Sequence, residues 1–254
     1  MATARPCATL TPHADGPVVG RFGGAPLLPA GFLDLPQRTH LIASLDLAAL
    51  PEDATNLPLP PDGLLHLFAR SYDDGLEAGG EAVYVPAGTA VAERSLDHGY
   101  HPQDAWAHLD RDPQEGVELR LHHDVSLPDN ESLLDPAEYP HANELRNAWA
   151  QVRNEDHPPH SGPRLQIDGF PTDAYGETDL LTASAWLAAR TAGKPLGKPA
   201  NPGETPRPED WALLTQWYGA PYIGGDVYWT ITRQNLTARR FDEVTVLGLF
   251  EGPG

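Results

Sequence analysis

Apolar and polar side chains divide the chain into short extended runs separated by Pro- and Gly-rich turns. Val117-Glu118-Leu119-Arg120-Leu121-His122 alternates strictly. That is the period of a strand with one buried face, and it turns Val117, Leu119 and Leu121 toward a core. Val18–Phe22, His40–Leu45, Leu64–Phe68, Glu81–Val85, Trp211–Gln216, Val227–Ile231 and Val244–Leu247 are shorter, more continuously apolar runs that also predict strands. Two segments carry the helical period instead. Asp135-Pro136-Ala137-Glu138 has the form of a helix start, Pro140 interrupts it, and a main helix is expected from about His141 to Arg153. Leu145, Trp149 and Val152 form its apolar stripe. A second helix is expected from Asp179 to Arg190, with Thr178 as N-cap and Leu180, Ala183 and Leu187 or Trp186 as its buried side.

The strand pattern is written twice. His40–Leu45 runs into Asp46-Leu47-Ala48-Ala49-Leu50, a Pro-rich turn ending at Gly63, and Leu64–Phe68. Near the other end, Trp211–Gln216 leads through Gly224-Gly225-Asp226 into Val227–Ile231, and a polar segment from Thr232 to Arg240 reads as a helical turn. The expectation is an α+β fold: a single domain of two related β-rich halves with mainly antiparallel sheets, a few short helices and long Pro/Gly-rich loops. Residues 1–17 read as a flexible leader and 18–254 as the domain. Its halves are 18–125 and 160–254, joined by a helical connection over 132–155. The Pro/Gly-rich stretch from Thr191 to Pro208 reads as a surface loop within that domain.

Composition narrows the function classes. The chain has 254 residues, enough for a full core, and its 27 Pro and 24 Gly point to abundant ordered turns. Its net charge of −19 repels phosphate backbones and anionic lipid headgroups, which argues against nucleic-acid and membrane-surface partners and favours a basic protein partner. The single cysteine, Cys7, cannot form an internal disulfide, and no run reads as a signal peptide or a bilayer span, so a cytoplasmic location is expected.

Several motifs, in order, resemble the YwqG-like proteins, a bacterial domain family of unknown function. They are Gly24-Ala25-Pro26-Leu27-Leu28-Pro29, Asp46-Leu47-Ala48-Ala49-Leu50-Pro51 and Leu59-Pro60-Pro61-Asp62-Gly63-Leu64-Leu65-His66-Leu67-Phe68. Trp211–Gln216, Gly225–Ile231, Asn235-Leu236 and Arg240-Phe241-Asp242 resemble the family's closing module, and Gly169-Phe170-Pro171 is a looser match. The family places a glutamine where this chain has Ser44, and another after its Gly-aromatic-Pro segment, where this chain has Asp173, Ala174 and Tyr175. Gln216 keeps the corresponding amide of the last module. The resemblance implies two related β-rich halves and no established reaction.

Two groups of residues could carry chemistry. Eight of the eleven histidines lie from His98 to His160, and His122, Asp124, His157 and His160 are candidate metal ligands, since imidazole and carboxylate suit first-row divalent ions. Their spacing fits no H-E-x-x-H signature, and His122 and His123 point to opposite faces of a strand. The second group is the aromatic and polar cluster of the last module: Gln216, Tyr222, Asp226, Tyr228 and Trp229, of the composition found in contact patches. On a strand Tyr228 and Trp229 face opposite sides, so one belongs to the core and the other to a surface or a space beneath a loop. No nucleophile elbow or P-loop is present, and no cofactor is expected. The leading expectation is a non-enzymatic protein- or ligand-binding module, with an immunity or inhibitor-type role as its specific form. The alternative is a metal-dependent hydrolase using the His/Asp-rich middle.

Overall fold

The computed structural model describes residues 4–32, 35–36, 39–71, 78–94, 116–128, 140–156, 163–173, 179–191, 207–219 and 223–250. Ten strands form one antiparallel sheet: β1 (Arg5–Thr11), β2 (Val18–Phe22), β4 (His40–Asp46), β5 (Leu64–Ser71), β6 (Ala78–Val85), β8 (Val117–Ser126), β9 (Leu165–Ile167), β10 (Trp211–Trp217), β11 (Gly225–Thr232) and β12 (Thr245–Phe250). The short strands β3 (Leu27–Pro29) and β7 (Val91–Glu93) make a separate ribbon. This corrects the expected α+β class. With 44% strand against 20% helix, the protein is mostly β, built on a large, nearly closed antiparallel sheet. The two helical segments are real, but they lie outside the sheet and do not make a second layer of equal weight.

The order across the sheet is β12-β11-β10-β9-β1-β8-β2-β4-β5-β6. Curling brings the end strands together. A Cβ on Gly248 of β12 would lie 2.6 Å from the Cβ of Ala78 on β6, so only glycine fits there. Alternate residues point inward and form the main core, among them Ala8 and Leu10, Leu65 and Leu67, Leu119 and Leu121, Leu165 and Ile167, and Val227, Trp229 and Ile231. The two-residue period of each strand assigns these positions, and burial on this face supplies the main driving force. Trp229 crosses the seam: its indole N–H is shared between the carbonyls of Phe68 (3.1 Å) and Glu81 (3.2 Å), which are paired across β5 and β6.

The expected flexible leader is corrected too. Residues Arg5–Thr11 form a central strand, paired with β8 on one side and β9 on the other. Cys7 is therefore buried. The strand escaped detection because Thr9 and Thr11 are buried on its outer face by other parts of the chain, a circumstance that hydropathy cannot register.

Helix α1 (Ala142–Asp156) matches the main helix expected from His141 to Arg153, while the start expected at Asp135 lies outside the described residues. Helix α2 (Leu180–Thr191) is capped by Asp179, whose carboxylate accepts from the amides of Leu181 and Thr182. Thr178, the expected cap, lies outside the described residues, as do residues 192–206 of the expected surface loop. Leu180 packs with Leu213 and Tyr228 and covers the outer face of β10 and β11. Thr232 caps the short helix α3 (Arg233–Thr237) through the amide of Asn235.

Candidate functional site

On the outer face of the sheet, two X-Pro-X straps are held down by equivalent positions of its two wings. The first strap is Ala25-Pro26-Leu27. Arg21 of β2 donates to the carbonyl of Ala25, four residues on, and His66 Nε2 lies 2.9 Å from the carbonyl of Leu27. A carbonyl can only accept, so Nε2 carries the proton and Nδ1 accepts from the Ser44 hydroxyl at 2.8 Å. The second strap is Phe170-Pro171-Thr172. Gln166 of β9 donates to the carbonyl of Phe170, again four residues on, at 3.0 Å, and the Tyr228 hydroxyl donates to the carbonyl of Thr172 at 2.7 Å.

Strand registers make the equivalence a matter of position. Arg21 pairs with Ser44 and Ser44 with His66; Gln166 pairs with Gln216 and Gln216 with Tyr228. The amide of Gln216 is fully used. Its oxygen accepts from the Thr172 amide at 2.9 Å, and its nitrogen donates to the Thr172 carbonyl at 3.0 Å and to Asp226 at 3.1 Å. Gln166 is used as completely, donating to the carbonyls of Asp168 and Phe170 and accepting from the Tyr218 hydroxyl at 2.8 Å. The second strap opens on a tight turn. Gly169 has φ of 86° and a Cβ there would lie 2.6 Å from that of Ser126, so glycine is required on both counts.

These contacts show where the expected binding residues are. Gln216, Tyr228 and Trp229 are fully buried and Asp226 nearly so; Tyr222 lies outside the described residues. Trp229 belongs to the core, and Tyr228 to the space beneath the strap. The aromatic patch expected at these positions is thus an interior network with its hydrogen bonds satisfied. Sequence reading treated Gly169-Phe170-Pro171 as a loose match only; the signal available was its recurrence as Gly24-Ala25-Pro26.

Asp168 closes one end of the sheet. Its carboxylate accepts from the amides of Asn56 and Gly169, both at 2.7 Å. Burial pushes its pKa up from the ordinary carboxylate range, while those two amides and the nearby Arg5 and Arg233 pull it down.

At this same end an accessible site is assembled from residues that sequence reading did not group. A crevice on the outer face is lined by Thr9, Asp124, Trp149, Arg164, Gln166 and Tyr218, with about 10 Å³ of free volume, room for one water. The Arg164 guanidinium stacks 3.6 Å from the centre of the Tyr218 ring, and Thr9 donates to Asp124 at 3.1 Å. Sharing Asp124 and Val125 with the crevice, an open groove of about 270 Å³ runs over Pro6, Cys7, Asp53, Ala54 and His123. Trp149 is the half-buried centre of the α1 stripe, while Leu145 (52%) and Val152 (44%) stay exposed, as does Val125 (47%).

Of the candidate metal ligands, His122 is exposed and stands opposite Thr9 of β1, and Asp124 is half-buried on the same strand, opposite Cys7. His157 and His160 lie outside the described residues. Among the described residues no group of three or more His, Cys, Asp or Glu side chains could hold a metal ion.

The model of a domain of unknown function, DUF1963, matches residues 20–247. The chain belongs to this family. The DUF1963 match takes in both straps, the groove residues from Asp53 onward and every outer-face side chain that holds the straps; β1, which completes the centre of the sheet, lies ahead of it. No curated protein matches the chain. Among the described residues no helix is long and apolar enough to cross a membrane.

Proposed function

We propose that this member of the DUF1963 family, close in its motifs to the YwqG-like proteins, is a non-enzymatic cytoplasmic binding module that takes a basic protein partner on the face formed by α1 and the end of β8. The observation that carries the reading is the exposed apolar side of α1, Leu145 and Val152 flanking a half-buried Trp149, continuous through Val125 with the Asp124 groove. Exposed apolar side chains around an aromatic anchor, with a polar rim, have the composition of a contact surface. The net charge of −19 makes a basic partner the electrostatically favoured one. An immunity or inhibitor-type role, in which the module covers a basic partner's working surface, is the specific form of this reading.

The test is a low-salt pull-down with the wild type and with a Leu145→Glu/Val152→Glu double variant, whose fold is checked by circular dichroism. Basic proteins retained by the wild type, released as salt rises and lost from the variant are the expected result. Equal retention by both proteins would remove α1 from the interface, and failure to retain any basic protein would remove the reading itself.

A further inference from the structure

We infer that α1 is an arm that melts separately from the sheet, docked through Trp149, and that the basic partner binds by ordering it. This rests on the binding-module reading and names how that same face is regulated. The two long helices differ sharply in how they are held. Helix α2 is capped by Asp179 and buries Leu180, Ser184 and Ala185; among its described side chains only Arg190 is exposed. Helix α1 is longer, yet its described side chains from Asn143 to Val152 are all exposed except Trp149, which is half-buried. Trp149 meets the sheet in the crevice lined by Thr9, Arg164, Gln166 and Tyr218.

Local sequence does little to make up the difference. Ahead of Ala142 stands His141, whose ring pairs with Glu144 at 3.1 Å, where α2 has a carboxylate that accepts from two first-turn amides. The last turn of α1, Arg153-Asn154-Glu155-Asp156, has two acidic residues against one basic, and negative charge there opposes the helix dipole. Asn143, Asn147 and Asn154 are weak helix formers. An isolated helix of 15 residues is marginal in water and draws most of its stability from burying an apolar face. Leu145 and Val152, two of the three residues of that face, leave this source unused until a partner covers them. A basic partner supplies both missing items: apolar cover for the stripe and positive charge beside the acidic last turn. Segments with few buried contacts open at low free energy while the core stays closed. A partner that needs the ordered form then binds in proportion to how much of that form is present.

The test is hydrogen exchange on ¹⁵N-labelled full-length protein, with the basic amphipathic peptide acetyl-Leu-Lys-Lys-Leu-Leu-Lys-Leu-Leu-Lys-Lys-Leu-Leu-Lys-Leu-amide as probe. In the free protein the amides of Leu145–Val152 are expected to be protected by less than about tenfold, and those of Leu119 and Leu121 by more than about a thousandfold. Trp149→Ala should remove the remaining protection of α1 alone. Asn147 is exposed on the side of the helix opposite the stripe, so it tunes helix formation without touching the contact face. Asn147→Ala and Asn147→Gly should differ by about fivefold in α1 exchange and about twofold in peptide affinity, the alanine variant exchanging more slowly and binding more tightly. Saturating peptide should raise α1 protection at least about tenfold and leave Leu119 and Leu121 as they were. Protection of α1 within about tenfold of that at Leu119, or bound peptide with no gain in α1 protection, would overturn the arm. If the peptide is then still lost from Leu145→Glu/Val152→Glu, the face binds as a preformed helix and the binding-module reading stands. A freely exchanging α1 that the peptide does not bind would instead take away that reading, and ordering by a partner with it.

Discussion

The two straps occupy matching places, yet the side chains that hold them have little chemistry in common. In the first wing a guanidinium and an imidazole do the work, the imidazole itself oriented by Ser44. In the second, two carboxamides and a phenol do it. What is shared is the set of backbone carbonyls: the fold requires donors aimed at positions four and six residues beyond Arg21 and Gln166, and any side chain that reaches them serves. An amide carries donor and acceptor together, so Gln216 ties both the amide and the carbonyl of Thr172 by itself. Ser44 and His66 together secure only a carbonyl.

The difference can be broken at several levels. The largest effect belongs to Trp229, which joins the wings across the seam. Trp229→Ala should cost about 3–5 kcal/mol in urea denaturation, from the lost core volume and the lost indole hydrogen bond to the Phe68 and Glu81 carbonyls. A loss below about 1 kcal/mol would show that the seam is closed by other contacts. Gln216→Ala comes next, at about 2 kcal/mol, because it removes both hydrogen bonds to the half-buried Thr172 backbone and the one to Asp226. Hydrogen exchange at Thr172 should quicken in this variant. Ser44→Ala should cost only about 1 kcal/mol and leave Thr172 exchange unchanged; equal costs for the two would erase the asymmetry between the wings.

The smallest effects are in pH dependence, and they differ in sign. Burial, with Arg21 nearby, holds the His66 pKa below its ordinary 6.5 despite the Leu27 carbonyl. The unfolded chain then binds the proton more readily, so stability present above 6.5 is lost as pH falls through the folded value. His66→Gln should flatten that limb while still reaching Leu27. The second wing has Tyr228, a phenol rather than an imidazole, at the matching place. At Asp168 the raised pKa acts oppositely: its contribution is full below 3.8 and is lost as pH rises through the folded value. Asp168→Asn should remove this component from the stability profile. A His66→Gln protein with an unchanged acid limb would show that another group governs it.

Much of the sheet was legible because Leu119 and Leu121, or Leu65 and Leu67, alternate with polar neighbours in the period a half-buried strand demands. The weight of strand over helix was not legible, since amphipathic helices read as strongly as strands whether or not they form a layer. The straps were hidden for a clearer reason. His66 and Tyr228, or Arg21 and Gln166, share no side-chain property that a pattern could match; their likeness lies in a backbone carbonyl reached through space. The accessible groove was hidden similarly, because Pro6, Asp53 and Asp124 meet only when β1 is inserted beside β8.

That insertion has a consequence for how the chain acquires its structure. β1 leaves the ribosome well ahead of both its partners: β8 ends at Ser126 and β9 at Ile167. β1 must wait until both have been made before the centre of the sheet can close, a topology that slows folding and leaves an early strand open to wrong partners. Translation speed through the stretch between β8 and β9 thereby becomes part of the folding problem.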